Sequence, residues 1–541
     1  MKGRCWNAFL SFLLLVFANK ANSKRDSECS KLFINPNNPA SFVCVCNATL
    51  CHALPDDSPW HYRKKLTMFT TSKEGKRFER STWNFVSRKS DHLRSASFGD
   101  VVDNELIIAY DQRESQIKIK GFGGTLTDAV TINLNTLSAG IREKLIDAYF
   151  AKNGSEYKLL RIPIASSEFS TSDYSYSEVD DDKSDENLTS FQLHPEDEWK
   201  IRYLKKIIIR AENDNERDDF FLFASSWSAP GWMKSTGQMS GGGTLKSEYR
   251  ESYANYIKKF IDAYNKTGVE IHGITVQNKP STGLIKEYPS QTMYLSAEEE
   301  RDFVRDYLGP VLSKSNMEIM ISDEYRSNLT DFADVILNDA KAAEYTSGIA
   351  VHWCTNDVID PSVITQTQSN HPTKFIISTE ACTSGHNAIL DFGSWERGET
   401  YAKDMINALT HNVSGWVDYN LALNVRGGPN WAKNYMDSPV IVNHFDDEFY
   451  FQPMYYVLAH FSKYVKPGMT LIKSEFTHKV DDVDVLVFKA HTSKTIIIRN
   501  GQNNDIEIKI SDPKCNGHTA IVPIDASSIN SLTYDCAPMY G

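Results

Sequence analysis

The segments FFLFASSW (220–227) and IHGITVQN (271–278), together with the stretch between them, decide the architecture. Each is a short run rich in β-branched or aromatic residues, the composition of a strand buried on both faces. Between them Tyr253, Ile257, Phe260, Ile261 and Tyr264 recur at i, i+4, i+7, i+8 and i+11, which lines one face of a helix. The unit is strand, helix, strand. It repeats in both directions, with KIKGFGG (118–124) and KLLRIPIA (158–165) upstream. EIMISD (318–323), GIAVHW (348–353), KFIISTE (374–380) and SGWVDYNLAL (414–423) follow downstream. Ser296 and Glu299 stand at capping-box spacing ahead of Phe303, Tyr307 and Leu308, which predicts another intervening helix. Eight such strands predict an α/β chain folded as a (β/α)₈ TIM barrel. An open doubly wound sheet is the rival, and no strand-linked GxGxxG supports it.

The flanks differ. Residues 29–115 are rich in Cys, Asn, Ser and Thr, and the tail alternates in VDVLVFKA (483–490), KTIIIRN (494–500) and IEIKI (506–510). Alternation broken by polar turns such as Asn500-Gly501 predicts antiparallel strands, and hence a β-domain drawn from both chain ends. The acidic run EVDDDKSDE (178–186) reads as a solvated loop, and no metal-ligand register is evident in it.

At the start, Lys2 and Arg4 precede an apolar run (8–18), with Ala21 and Ser23 at a cleavage-like site. The run is too short to span a bilayer, so residues 1–23 read as a secretory signal. The whole chain carries 58 basic and 70 acidic residues, a net charge of −12; without residues 1–23 it has 55 against 70, or −15. That acidity argues against nucleic-acid binding. Cys29, Cys44, Cys46 and Cys51 crowd one segment, and an exported chain favours disulfides over zinc there. Cys515 and Cys536 offer a third bridge, while Cys354 and Cys382 read as free thiols. Six N-x-S/T sequons, at Asn47, Asn153, Asn187, Asn265, Asn328 and Asn412, fit an exported glycoprotein.

In a barrel the residues just past the strand C-termini line the site. Here these are Glu168 and Phe169, then Trp227 and Trp232, then Asn278 and Lys279, then His352 and Cys354, then Glu380, then Tyr419. A carboxylate ringed by aromatic, amide and imidazole groups suits a sugar, whose C–H faces lie on rings while its hydroxyls meet polar groups. Each residue alone is equally compatible with core packing.

Over nearly its whole length the chain resembles the lysosomal acid β-glucosidase (glucosylceramidase) family. The stretches that carry this are FVCVCNATLC (42–51), KGFGGTLTDA (120–129), RIPIASSEFS (161–170), SSWSAPGWMK (225–234), TVQNKPSTGL (275–284), STEACTSG (378–385) and NLALNVRGGPNW (420–431). The resemblance implies a barrel (116–430), a β-sandwich from both ends (within 24–115 and 431–541), a small N-terminal sheet, and pairs Cys29–Cys44 and Cys46–Cys51. It also implies retaining hydrolysis of glucosylceramide, in lysosomes or outside the cell, with no cofactor and no metal, assisted by a sphingolipid activator protein and anionic lipid surfaces. Glu380 matches the nucleophile, and Glu168, Trp227, Asn278, His352, Tyr419 and Asn434 match sugar-binding positions, Asn278 reading the 2-hydroxyl. The family's acid/base glutamate follows the asparagine after the fourth strand, where this chain reads Asn278-Lys279-Pro280. A lysine ammonium beside Glu380 is a poor acid and no base. Glu287, farther along the loop, is a conceivable substitute. Glu168, Cys354, Tyr325 and Tyr419 also depart from the family pattern, whereas Arg161 keeps to it. Three readings follow: a glucosylceramide hydrolase, an impaired glycolipid-binding homologue, and a glycosidase for another β-linked glycan.

Overall fold

A computed structural model describes residues 28–34, 40–55, 65–87, 104–109 and 117–536, apart from 181–182, 213–218, 355, 357 and 384–389. The expected signal segment lies outside them. Eight parallel strands close into a barrel: β1 (Gly121–Thr125), β2 (Leu159–Ile164), β3 (Phe221–Ser226), β4 (Gly273–Thr275), β5 (Glu318–Tyr325), β6 (Thr346–His352), β7 (Phe375–Ala381) and β8 (Gly415–Asp418). Leu159, Phe223, Met320, Ala350, Ile377 and Val417 fill the interior as one buried cluster, so the barrel is a packed core and not a pore. The helix Arg250–Lys266 buries Tyr253, Ile257, Phe260, Ile261 and Tyr264, and Ser296 and Glu299 form the expected capping box.

Both chain ends build the sandwich. One sheet holds Lys65–Ser72 and Glu79–Asn84 beside strands from 470 onward; the other sets Glu105–Ile108 parallel to Ile506–Ser511. Inward-facing Leu66, Leu106, Val487, Ile496, Ile508 and Leu532 join the two faces. A third sheet runs Lys31–Phe33, Phe42–Cys46, Glu448–Phe451, Val440–Asn443, Leu423–Asn424. Disulfides Cys29–Cys44 and Cys46–Cys51 tie it, and Cys515–Cys536 closes the sandwich's end. Cys354 and Cys382 are free thiols.

Two expectations are corrected. The eighth barrel strand stops at Asp418, because Leu423–Asn424 leaves the barrel to pair with Val440–Asn443. A boundary at 430 falls too early, since sandwich strands resume only at Thr470. Between them lies the helix Pro453–Tyr464, buried at every position. Phe461 meets Phe122 of β1 on one side, while His460 bonds Ser531 (2.7 Å) and Thr71 (2.9 Å) of the sandwich on the other. Burial pushes the His460 imidazole down to about 3, so it is the neutral ring that joins the two bodies.

All six sequon asparagines are accessible, Asn47 and Asn412 partly so. Among the described residues no helix is long and apolar enough to cross a membrane.

Candidate active site

Arg161, on β2 and wholly buried, is the hub of the barrel mouth. Its guanidinium donates to Glu380 (2.6 Å), Asn278 (2.8 Å), Asp323 (2.8 Å) and Ser225 (3.0 Å), which ties β2, β3, β5 and β7 to the loop after β4. Asp323 takes three further bonds, from Thr275 (2.6 Å), Thr379 (2.5 Å) and His352 Nε2 (2.9 Å). Burial would raise its carboxyl, but Arg161 and His352 outweigh that and hold it far below the usual range. His352 thus stands between two carboxylates, with Nε2 on Asp323 and Nδ1 3.6 Å from Glu380 Oε1.

Lys279 completes the floor. It sits in the left-handed region (φ 43°, ψ 59°) ahead of the short turn Pro280–Leu284. Its amide donates to the Asp323 carbonyl (2.9 Å), and its carbonyl accepts from the amide (3.0 Å) and hydroxyl (2.7 Å) of Thr282. These bonds fix a strained backbone and turn the side chain inward, leaving the residue 8% exposed. Its ammonium forms an ion pair with Glu380 Oε1 and lies 5.5 Å from the Tyr419 ring centre. Burial alone would lower the ammonium, yet Glu380 foremost, then Cys354 and Glu168, raise it well above the ordinary lysine range. Burial likewise would raise Glu380, and Lys279, His352 and Arg161 hold it below the carboxylate range instead. Both groups stay charged.

The pocket wall is aromatic. Trp227 stacks on Tyr419 at 6.2 Å, Phe169 meets Tyr419 edge-on at 5.1 Å, and the Trp227 Nε1–H donates to Glu168 (2.8 Å). Glu168, Trp227, Asn278, Lys279, His352, Glu380 and Tyr419 are all buried. Other sequence candidates stand at the rim. Tyr325 is half-buried, meeting the His352 ring edge-on at 6.5 Å; Cys354 is exposed at the mouth; and Trp232 bonds the Ser177 carbonyl (3.0 Å). Asn434 is exposed, its backbone amide and carbonyl both bonded to the Asn430 side chain. Glu287 is exposed on its loop.

Sequence reading overlooked Asp323 and Tyr288. Asp323 was findable, since it ends the expected strand EIMISD (318–323), although β5 itself runs on to Tyr325. Tyr288 was not. It reaches the site from the loop after β4, and the fields of Lys279, Glu168 and Glu380 act on its phenol, which burial raises.

Asp323 depends in turn on Glu300. Ser322 and Asp323 both have positive φ (76° and 53°) within a bulge of β5, and the Ser322 amide donates to buried Glu300 (2.8 Å). Burial pushes the Glu300 carboxyl up to about 8. The folded state therefore keeps a proton that the unfolded chain releases above its ordinary value of 4.5. Stability from this group is complete below that value and is lost as pH rises toward 8. Glu300→Gln should match wild type in urea unfolding at pH 4 and exceed it at pH 7 by on the order of 2–3 kcal/mol.

Residues 119–465 match the glycosyl hydrolase family 30 TIM-barrel domain. Putative glucosylceramidase 3 of Caenorhabditis elegans is 39% identical over 506 residues, covering 91% of this chain and 92% of that protein. Mouse (Mus musculus) lysosomal acid glucosylceramidase is 34% identical over 484 residues, covering 88% and 90%. Among solved structures, SrfJ from Salmonella typhimurium superposes with a TM-score of 0.76 at 24% identity, covering 87% of this chain and 99% of that one, and bears on the fold alone.

Proposed function

Because this chain belongs to glycosyl hydrolase family 30, we propose that it binds β-glucosides of the glucosylceramide type and cleaves them with retention, Glu380 being the nucleophile. The observation that carries the reading is the buried contact of Lys279 with Glu380 at the mouth of the barrel. Retaining glycosidases place a second carboxyl roughly 5–5.5 Å from the nucleophile, to protonate the leaving oxygen and then deprotonate water. Here a fixed ammonium stands at that position. It neither gives up its proton near neutrality nor accepts one, and its ion pair lowers the nucleophilicity of Glu380. The protein is thus a slow hydrolase wherever the aglycone leaves as an alkoxide.

Other features support the sugar and lipid parts of the reading. The stacked Trp227 and Tyr419 rings offer a face for sugar C–H groups, and the Asn278 amide stands beside Glu380 through their shared Arg161 partner. Leu284 (66% exposed) and Ile285 (52%) follow Lys279 in the same loop, and Val358 (73%) follows β6. Apolar side chains around a sugar pocket suit a lipid tail, an anionic lipid surface and a sphingolipid activator protein in a lysosomal or extracellular setting.

The test compares glucosylceramide with 2,4-dinitrophenyl β-glucoside, whose phenolate leaves without a proton. Cleavage of the aryl glucoside should exceed that of glucosylceramide by about 10²–10⁴ beyond the ratio shown by the mouse relative. Equal relative efficiency would overturn the assignment of Lys279. Glucosylceramide binding with neither turnover nor labelling of Glu380 would leave a binding protein instead.

A further inference from the structure

The ion pair that quenches Glu380 has a consequence once that carboxylate has reacted. Among the described residues Glu380 is the one ion-pair partner of Lys279. Glu168, the other carboxylate whose field reaches Lys279, accepts from Trp227 (2.8 Å). In a glucosyl-enzyme Glu380 is a neutral ester. The ammonium of Lys279, a buried residue, is then a cation whose nearest counter-charge has gone, a state that strongly favours an incoming anion. Water gains nothing from this change, since no group at the position takes its proton.

We infer that Lys279 forms an acceptor site for a small oxyanion, phosphate or a carboxylate, which takes the glucosyl group from Glu380. The inference rests on Glu380 being the nucleophile. In the first step a carboxylate oxygen of Glu380 bonds to the anomeric carbon. The bond to the leaving oxygen breaks, and that oxygen departs with the electron pair as an anion. In the second step an oxygen of the oxyanion bonds to the same carbon from the opposite face. The ester bond breaks, and Glu380 regains its charge and its contact with Lys279. No proton moves in either step, so no acid or base is needed. With phosphate the product is β-glucosyl phosphate, and with a carboxylate a β-glucosyl ester. The protein is then a glucosyl transferase to anions built on a hydrolase barrel, with Lys279 as the residue that selects the acceptor.

The experiment uses the full-length protein with 2,4-dinitrophenyl β-glucoside. Inorganic phosphate, acetate or azide is added in turn, at ionic strength held constant with chloride. Phosphate or acetate should accelerate phenolate release saturably, by at least about tenfold, with the β-linked adduct appearing in place of glucose by NMR. The arm that responds identifies the acceptor. In Lys279→Ala and Lys279→Gln, azide should still accelerate release while saturable phosphate or acetate acceleration is lost. A glucosyl-enzyme that accumulates at Glu380 by mass spectrometry, yet reacts with neither oxyanion, overturns the acceptor site and leaves the nucleophile standing. Equal phosphate response in wild type and both variants also overturns it. No adduct at Glu380 under any condition sinks the nucleophile assignment, and the acceptor site with it.

Discussion

Lys279→Glu is expected to raise turnover of glucosylceramide by about 10²–10⁴, a gain of function from a single side chain. The loop that presents residue 279 is fixed by backbone bonds to Asp323 and Thr282, so a glutamate inherits its position. Two carboxyls facing each other across the mouth cannot both ionise easily. Arg161 at 2.6 Å keeps the charge on Glu380, so the proton settles on the new residue, as an acid catalyst requires. The variant should acquire an alkaline limb in its pH–rate profile where that proton is lost, and wild type should lack it. Steady-state assays of both proteins between pH 4 and 8 check this. Unchanged turnover, with Glu380 labelling normally, would place the limiting defect elsewhere, at Glu168, Cys354 or Tyr419.

Arg161→Met is expected to cost about 3–5 kcal/mol of folding stability, the usual penalty for leaving buried charge unpaired. The side chains of Arg161 and Asp323 are fully buried and that of Glu380 is 1% exposed. Removing the guanidinium leaves two carboxylates with His352 and Lys279 as their remaining cationic neighbours, and strips Ser225 and Asn278 of a donor. Both carboxyls are held low in the folded state, so the stability they contribute is present above their unfolded values and fades as pH falls. The penalty should therefore be large in urea unfolding at pH 7 and should shrink toward pH 3. A penalty independent of pH would mean that lost packing of the side chain, and not its charge, sets the cost.

Much of this was legible in the chain itself. β-branched runs, spaced by helices with capped ends, left few alternatives to a barrel, because strand composition and helix periodicity are local properties. Position at a strand's C-terminal end brought Glu168, Trp227, Asn278, Lys279, His352, Glu380 and Tyr419 together, since barrel closure turns those ends to one mouth. Asn434 and Glu287 lie on long loops, and no strand fixed where their side chains would point.

Sequence alone determined that an acidic, cysteine-bearing chain folds as a barrel with a β-domain from both ends, and that a lysine, Lys279, follows Asn278 just past the fourth strand. Tertiary structure decided what that lysine does. It turned a left-handed loop residue inward and set its ammonium on Glu380. It bent β5 so that Asp323 could bind Arg161 and His352 together, and drew the helix Pro453–Tyr464 into the seam between barrel and sandwich. These outcomes depend on pairs of groups far apart in the chain. Their charges come to interact only when folding removes the water between them and lowers the dielectric in which they meet.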